Sequence, residues 1–262
     1  MTENRVEMAL NIAERHSKIL EVLKQSEYVT VAELSEKLGV SMVTIRKDLK
    51  HLESLILLYR SHGGASLKNP YIADRHVNEK EHLFVEEKKR IAQYAASLIK
   101  DGESIILASG STINELSRQI EERKRIVAVC SSLVAARELA VKEISEVHQL
   151  GGIVRSSSAS VVGPFAEKML QGFRCSKLFL GVDGVDIDFG LTTTNALEAS
   201  LNQDMIASAE KVIVLADSSK FGCRGFSRIC SLDQVDMVIT DNGLGEMFVK
   251  QLEEKGVELV RV

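Results

Sequence analysis

Seven short apolar stretches alternate with helix-like stretches from residue 86 to the end of the chain, and this alternation constrains the fold most. Nearly all-apolar strands with helices between them are typical of a parallel sheet covered on both faces. The predicted strands are at 104–107, 126–129, 147–150, 178–182, 212–215, 237–240 and 257–260. The predicted helices are at 86–99, 111–122, 132–141, 163–172, 196–209 and 244–254. This part of the chain is therefore predicted to be a mostly parallel α/β domain.

The N-terminal part of the chain shows short helices with clear start and stop signals. Thr30 and Glu33 have the spacing of a capping box, in which the two side chains bind free amides at a helix start. The helix that they begin ends at Gly39, a residue that readily takes the left-handed conformation. Ser41 can cap the helix that follows. Two helices joined by a short turn with glycine have the spacing of a helix-turn-helix.

A β-hairpin is predicted after the second of these helices. The run at 57–60 has strand character, and the pair Gly63 and Gly64 suits a tight turn. A helix-turn-helix followed by a hairpin is a winged helix. We therefore predict a winged helix-turn-helix domain at 1–66, a linker with a lead-in helix at 67–85 and the α/β domain at 86–262.

The helix predicted at 41–53 has one apolar and one basic face. The apolar residues recur at helical spacing, which predicts that they pack against a core. They are Met42, Ile45, Leu49 and Leu52. Residues 41–68 hold five Lys and Arg against two Asp and Glu, although the whole chain has a net charge of −4. This local positive charge predicts a polyanionic partner.

The basic face is predicted to bind double-stranded DNA in the major groove. Hydroxyl groups at the helix start suit phosphate oxygens. Basic side chains further along can reach guanine, and a small apolar side chain can touch a thymine methyl. The hairpin would contact the backbone or the minor groove. The predicted DNA-binding residues are Ser41, Val43, Thr44, Arg46, Lys47, Arg60 and His62.

Two alternatives remain for this region. Arg46 and Lys47 could belong to a solvated helix surface with local ion pairs, for which Asp48 and Glu53 could serve. A winged helix can also be used only for protein contacts.

Polar residues follow five of the predicted strands where each strand ends. The carboxyl ends of parallel strands meet at one edge of the sheet, where ligands bind. Hydroxyls and amides at a helix start can hold an anion, and a carboxylate can accept hydrogen bonds from sugar hydroxyls. A pocket for a small phosphorylated sugar or polyol is therefore predicted. The predicted effector-binding residues are Ser109, Gly110, Ser111, Thr112, Ser131, Ser132, Arg155, Asp183 and Lys220.

Residues from about 16 to 66 resemble the DNA-binding domain of the DeoR family of bacterial transcription regulators. The shared motifs are V-x-E-L at 31–34, V-S-x-x-T-I-R-x-D-L-x-x-L-E at 40–53 and R-x-H-G-G-A at 60–65. The rest resembles the family's sugar-phosphate sensing domain, at 101–102, 109–112, 151–152, 162–164, 179–184, 190–193 and 215–222. The resemblance implies a repressor of a sugar or polyol operon whose operator affinity is controlled by a phosphorylated sugar.

The chain departs from the family pattern at four places. Ile56 stands where a glycine is usual. Lys47 replaces the more usual second arginine, which keeps the positive charge but removes the pair of parallel donors of a guanidinium. Ala108 replaces a frequent aspartate, and Cys130 begins a triplet that replaces Thr-Asn-Ser. Because the last two departures fall in the predicted pocket, the identity of the effector stays open.

The sensing segment also resembles ribose-5-phosphate isomerase, at 181–184 and 216–220, which raises an enzyme as the alternative function. That enzyme needs a glutamate base about eighteen residues before the lysine, and this count reaches Asn202, which cannot take a proton from carbon. Glu198 and Asp204 are near but out of phase. No catalytic residue is therefore predicted.

The four cysteines and six histidines show no spacing typical of metal ligands. We therefore predict no metal, no cofactor apart from the effector, and a reducing cytoplasmic location. No apolar run approaches the length needed to cross a membrane. Because one helix-turn-helix contacts few bases, a dimer or tetramer is expected, assembled through the α/β domain.

Overall fold

The computed structural model describes residues 11–26, 28–55, 57–61, 63–67 and 76–262. The chain divides into two compact units, Met1–Ala73 and Asp74–Val262. The departure at Ile56 and the predicted DNA contact of His62 lie outside the described residues.

The first unit is a winged helix-turn-helix, as the sequence predicted. Its strands form one antiparallel sheet in the order β1-β3-β2. The strand β1, which pairs with the hairpin, was not predicted because it is only two residues long. The elements are α1 (Ile12–Gln25), β1 (Val29–Thr30), α2 (Val31–Leu38), α3 (Met42–Ser54), β2 (Tyr59–Ser61) and β3 (Gly64–Ser66).

The predicted caps of α2 and α3 are confirmed. The amide of Thr30 donates to Glu33 Oε2 at 2.8 Å, and the amide of Glu33 donates to Thr30 Oγ1 at 3.1 Å. Gly39 ends α2 in the left-handed conformation, with φ +65°. Ser41 Oγ accepts a hydrogen bond from the amide of Thr44 at 3.2 Å and so caps α3. These local signals fix where the two helices of the motif begin and end.

The apolar face of α3 is shorter than predicted. Ile45, Leu49 and Leu52 are buried together with residues of α1 and α2. Met42, which was assigned to the same face, is 47% exposed, so that assignment was wrong. Met42 is the first residue of α3, and the contact of this helix with the core begins at Ile45 instead.

The second unit alternates strands and helices as predicted. Its helices are α4 (Val77–Glu81), α5 (Val85–Ser97), α6 (Ser111–Gln119), α7 (Leu133–Val141), α8 (Pro164–Leu170), α9 (Ala196–Ala207) and α10 (Glu246–Glu254). Its strands are β4 (Ser104–Leu107), β5 (Val127–Cys130), β6 (Glu146–Gln149), β7 (Ile153–Arg155), β8 (Ser160–Val162), β9 (Cys175–Gly181), β10 (Gly184–Asp186), β11 (Gly190–Thr193), β12 (Ala209–Leu215), β13 (Ser227–Cys230), β14 (Met237–Thr240) and β15 (Glu258–Arg261).

Seven of these strands form one parallel sheet in the order β15-β14-β12-β9-β4-β5-β6. They correspond to the seven predicted strands. Successive side chains of a strand point to opposite faces of the sheet. On β4, Ile105 and Leu107 accordingly belong to one core, and Ile106 belongs to the other. Burial on both faces explains why inner strands such as β4 and β5 are almost entirely apolar, whereas the edge strands β6 and β15 include polar and charged residues.

Two smaller antiparallel sheets were not predicted. One is the hairpin of β7 and β8, and the other contains β10, β11 and β13. Their strands are only three or four residues long. Such short stretches carry too little periodicity to be distinguished from loops.

The strand order brings β4, β9 and β12 side by side at the centre of the parallel sheet. The loops at 109–110, 182–183 and 216–217 follow the carboxyl ends of these strands. Side chains that are distant in the sequence therefore meet at one edge of the sheet.

Candidate functional site

The outer face of α3 presents the residues that were predicted to bind DNA. Ser41, Val43, Arg46 and Lys47 are exposed, and Thr44 is half-buried. The hydroxyl oxygens of Ser41 and Thr44 lie 2.9 Å apart at the start of the helix. The face therefore combines hydroxyls at its beginning with basic side chains one turn further on.

The two acidic residues that could have paired with this basic face have other partners. Asp48 is buried, and its carboxylate accepts hydrogen bonds from Arg15 Nε at 2.5 Å and Nη2 at 2.9 Å. Glu53 accepts a hydrogen bond from the amide of Arg60 at 3.1 Å and pairs with its guanidinium at 3.4 Å. In the described parts of the chain, neither basic residue of the outer face has an ion-pair partner.

Asp48 joins α3 to α1, a role that the sequence did not reveal. His16 Nε2 lies 3.1 Å from the same carboxylate, on the oxygen that also accepts from Arg15 Nη2. Burial alone would raise the pKa of Asp48, but the hydrogen bonds from Arg15 and His16 outweigh this and hold the pKa below its ordinary value. The ionised pair of Arg15 and Asp48 therefore holds α3 against α1.

The wing residue Arg60 was predicted to contact DNA, and the structure also gives it a structural role. Its pair with Glu53 attaches β2 to the end of α3. The side chain of Arg60 is 38% exposed. Such an exposed ion pair contributes little to stability.

A cavity opens at the carboxyl ends of β4, β9 and β12. It contains about 580 Å³ of space outside the protein atoms, open solvent at its mouth included. Six of the nine predicted effector residues line it: Ser109, Gly110, Ser111, Thr112, Asp183 and Lys220. Further lining residues, which were not predicted, include Val77, Lys80, Ser157, Ser158, Thr193 and Glu198.

The loop between β4 and α6 is suited to an anion. Gly110 has φ +121°, a conformation that favours glycine, and it places Ser111 and Thr112 at the first turn of the nine-residue helix. The residue before the helix is Gly110, so no side-chain hydrogen bond caps this turn. Free amides and the positive end of the helix dipole therefore face the cavity together with the serine and threonine hydroxyls.

Asp183, which follows β9, supplies a charged acceptor in the same cavity. Its Oδ2 accepts from Thr193 Oγ1 at 3.0 Å and from the amide of Thr194 at 3.2 Å, and its Oδ1 pairs with Lys80 Nζ at 2.7 Å. Burial acts to raise the pKa of Asp183, but Lys80 and Lys220 together hold it below its ordinary value. The carboxylate is therefore ionised at neutral pH and can accept a hydroxyl.

Glu198 also lines the cavity, although it does not stand at the sequence distance from Lys220 that was expected of an isomerase base. Its carboxylate accepts hydrogen bonds from Ser109 and Arg155. Thr193 Oγ1 also lies 3.3 Å from Glu198 Oε2, but its one hydroxyl hydrogen has the nearer acceptor in Asp183. It lies in the first turn of α9, which Asn195 caps through the amide of Glu198 at 3.1 Å. That cap spacing is the sequence signal that could have placed Glu198 at the helix start.

Three predicted effector residues do not line the cavity. Arg155 forms an ion pair with Glu198, and its Nη2 donates to Ser157 Oγ at 3.1 Å. Ser131 and Ser132 are buried, and Ser132 caps α7 while donating to Asn114 Oδ1 at 2.8 Å. They follow β5, which is one strand further from the centre of the sheet than β4.

Two lysines near the start of the second unit also belong to this region. Lys80, from the segment predicted as linker and lead-in helix, lines the cavity from α4. Lys88, from the helix predicted at 86–99, is buried at the start of α5, where its Nζ donates to the carbonyl oxygens of Lys80 and Leu83. Burial lowers the pKa of Lys88 to about 8. The sequence gave no signal for either role.

In the described residues, no three His, Cys, Asp or Glu side chains are grouped so that they could hold a metal ion. Burial raises the pKa of Cys130 to about 12, so this thiol, beside the cavity loops, stays protonated.

No helix within the described ranges is both long and apolar enough to cross a membrane.

Comparisons with known proteins identify both units. The family described as "DeoR C terminal sensor domain" matches residues 83–242, and the "DeoR-like helix-turn-helix domain" matches residues 15–70. The chain is 39% identical over 251 residues to the "Uncharacterized HTH-type transcriptional regulator YulB" of Bacillus subtilis strain 168, covering 96% of this chain and 97% of that protein. It is 36% identical over 253 residues to the "Putative aga operon transcriptional repressor" of Escherichia coli O157:H7, covering 95% and 94%.

A solved structure of ribose 5-phosphate isomerase A from Methanocaldococcus jannaschii is more distantly similar. Its TM-score is 0.39 at 22% sequence identity, and the match covers 51% of this chain and 53% of that chain.

Proposed function

The chain belongs to the DeoR family of helix-turn-helix transcriptional regulators, and from this premise we propose that it represses a sugar or polyol operon under the control of a phosphorylated sugar. The putative aga operon repressor, to which the chain is similar along nearly its whole length, supports the mode of action. The cavity is the observation that supports a phosphorylated ligand. The start of α6, which suits an anion, and the carboxylates of Asp183 and Glu198 all line it.

The cavity has separate chemistry for the two ends of a phosphorylated sugar. The phosphate fits the start of α6, where amides and the hydroxyls of Ser111 and Thr112 are available. Lys220 adds a positive charge on the loop after β12. Asp183 and Glu198 are acceptors for sugar hydroxyls. A neutral sugar would leave the helix start and the lysine unpaired, so the phosphate provides the discrimination.

Control of DNA binding requires that the effector prefers one conformation of the protein. The effector then changes the fraction of molecules that can bind DNA, to an extent set by its difference in affinity for the two conformations. By linkage, DNA changes the affinity for the effector by the same factor by which the effector changes the affinity for DNA. We further propose that the regulator acts in the cytoplasm as a dimer or tetramer, since one helix-turn-helix contacts too few bases for useful specificity. Light scattering of the full chain tests the oligomeric state.

Replacing Lys220 with alanine is expected to weaken binding of the effector. A hydrogen bond to a charged group contributes roughly 1.5–3 kcal/mol, so the affinity should fall about tenfold to 150-fold. Thermal-shift screening with a broad panel of phosphorylated sugars, followed by calorimetry on any hit, measures this change. Lys250, exposed on α10, gives the matched control Lys250→Ala. Equal affinities of the Lys220→Ala variant and the unaltered protein would remove Lys220 from the site.

The position of Glu198 gives isomerase activity a physical basis as a second candidate function. A carboxylate in the cavity could act as a base on the carbon next to a carbonyl. Both of its oxygens, however, are engaged by Ser109 and Arg155, and the relatives are transcriptional regulators. We expect no conversion of ribose 5-phosphate to ribulose 5-phosphate in a coupled assay. Turnover that Glu198→Gln abolishes would establish the enzyme instead.

A further inference from the structure

The short helix α4 is the first element of the second unit and lies against the cavity. The amide of Val77 at its start donates to the carbonyl oxygen of Ser157 at 2.6 Å. Glu81 at its end accepts from Asn114 Nδ2 at 2.9 Å and from Arg118 at 3.3 Å. Between these two contacts, Lys80 points to the cavity. The helix is therefore attached at both ends and touches the ligand site in the middle.

The ion pair of Lys80 with Asp183 lies where a ligand hydroxyl would bind. The Oδ2 atom of Asp183 is occupied by Thr193 and Thr194. Its Oδ1 atom has Lys80 as its partner, at 2.7 Å. Each carboxylate oxygen can accept two hydrogen bonds, so Oδ1 is the oxygen with room for a sugar hydroxyl, and a hydroxyl bound there shares it with the lysine. At the same time, a phosphate at the start of α6 offers the ammonium group a second anion within the same cavity.

The helix α4 has little stability of its own. It is five residues long, and no side chain caps its start. Isolated helices of this length are unstable in water, so its order depends on its contacts. The chain leaves it through Phe84, which has φ +52° and thus a left-handed conformation that is unfavourable for a non-glycine residue. The loss of one contact should therefore loosen the whole helix.

We propose that α4 transmits the occupancy of the cavity to the DNA-binding unit, because Lys80 exchanges its partner Asp183 for the ligand when the cavity fills. This inference rests on the proposed function, since it describes how the same site is regulated. The helix begins at Val77, three residues after the second unit begins at Asp74. A displacement of α4 therefore moves the chain end that leads to the DNA-binding unit. Lys88, which binds the carbonyl oxygens of Lys80 and Leu83, holds the far end of the helix.

Hydrogen exchange on the full chain, read by mass spectrometry, tests the proposal with three variants. Lys80→Met removes the ion pair, Lys80→Arg keeps the charge, and Lys89→Met removes a neighbouring exposed lysine as the control. Without ligand, amides at 77–83 should exchange at least roughly threefold faster in Lys80→Met, as expected for the loss of a partly exposed pair. Lys80→Arg should restore the slow exchange, and Lys89→Met should leave it unchanged.

DNA binding supplies the second measurement, in gel-shift titrations with DNA from upstream of the protein's own gene. Ribose 5-phosphate and glycerol 3-phosphate are the probes, and melting temperature reports whether they bind. The affinity of ligand-free Lys80→Met for DNA should move towards that of the unaltered protein saturated with a bound probe. The probe should then have little further effect on the variant, although it still raises its melting temperature.

The outcomes separate the two proposals. Unchanged exchange at 77–83 and unchanged DNA affinity in Lys80→Met would overturn the role of α4. A probe that binds and alters DNA affinity without altering exchange at 77–83 would also overturn it, while the proposed function would stand. If Lys80→Met changes both quantities but neither probe raises the melting temperature, α4 is coupled to DNA binding and the ligand class needs correction.

Discussion

Replacing Asp48 with alanine is expected to destabilise the DNA-binding unit by about 3 kcal/mol, the lower end of the range for breaking a buried ion pair. The substitution leaves the guanidinium of Arg15, whose side chain is 10% exposed, without its carboxylate. Amides of α1 and α3 should then exchange about a hundredfold faster in the full chain, while the parallel sheet of the second unit stays protected. DNA affinity should fall in parallel, because α3 is held to α1 through this pair.

The matched control is Lys50→Ala, which alters an exposed residue of the same helix and should leave exchange unchanged. A double variant, Arg15→Met with Asp48→Leu, tests the cause, because replacing both charges with apolar groups is often neutral. If the double variant is as unstable as Asp48→Ala, the unpaired charge is not the reason for the loss. The pair should contribute fully above the ordinary aspartate pKa of about 3.9 and be lost as the pH falls through the lower pKa of the folded state.

Replacing Arg46 with alanine should weaken operator binding by roughly 1–3 kcal/mol, which corresponds to about fivefold to 150-fold. The guanidinium is exposed on the outer face of α3, and both nearby acidic residues are engaged elsewhere. It can therefore form a bidentate contact with guanine without first breaking an internal ion pair. Gel-shift titrations at fixed salt measure the loss, with circular dichroism to show that the variant is folded.

Salt dependence distinguishes base recognition by Arg46 from a phosphate contact. A base contact should be lost mainly on the specific operator, whereas a phosphate contact should be lost on all DNA and reduce the salt slope by about one. Lys50→Ala again serves as the control. Equal affinities of Arg46→Ala and the unaltered protein would exclude Arg46 from the interface. Failure of the unaltered protein to bind DNA from upstream of its gene would favour the use of the winged helix for protein contacts.

The local signals of the sequence were sufficient for most of the fold. The capping box of Thr30 and Glu33, the left-handed Gly39 and the cap at Ser41 depend on residues within a few positions of each other. The inner strands of the parallel sheet were recognised because burial on both faces makes their central residues apolar, whereas the edge strands β6 and β15 include polar residues. The short antiparallel strands were missed, because three or four residues show no reliable period.

The candidate cavity was predicted only in part. The loop at 109–112, Asp183 and Lys220 follow central strands, and the rule for parallel sheets placed them correctly at one edge. Ser131 and Ser132 also follow the carboxyl end of a parallel strand. That strand, β5, is further from the centre of the sheet, and the two serines are buried and do not line the cavity. The rule predicts at which edge of the sheet a residue lies, whereas the order of the strands decides how close that residue is to the cavity.

The sequence by itself determined the helices, the central strands and the basic outer face of α3. Only the tertiary structure decided that Asp48 pairs with Arg15, that Glu198 reaches the cavity and that Lys80 meets Asp183. The physical reason is distance along the chain. Caps and periodicity arise between neighbours, but Lys80 and Asp183 are 103 positions apart and meet only because the folded sheet brings the end of β9 beside α4.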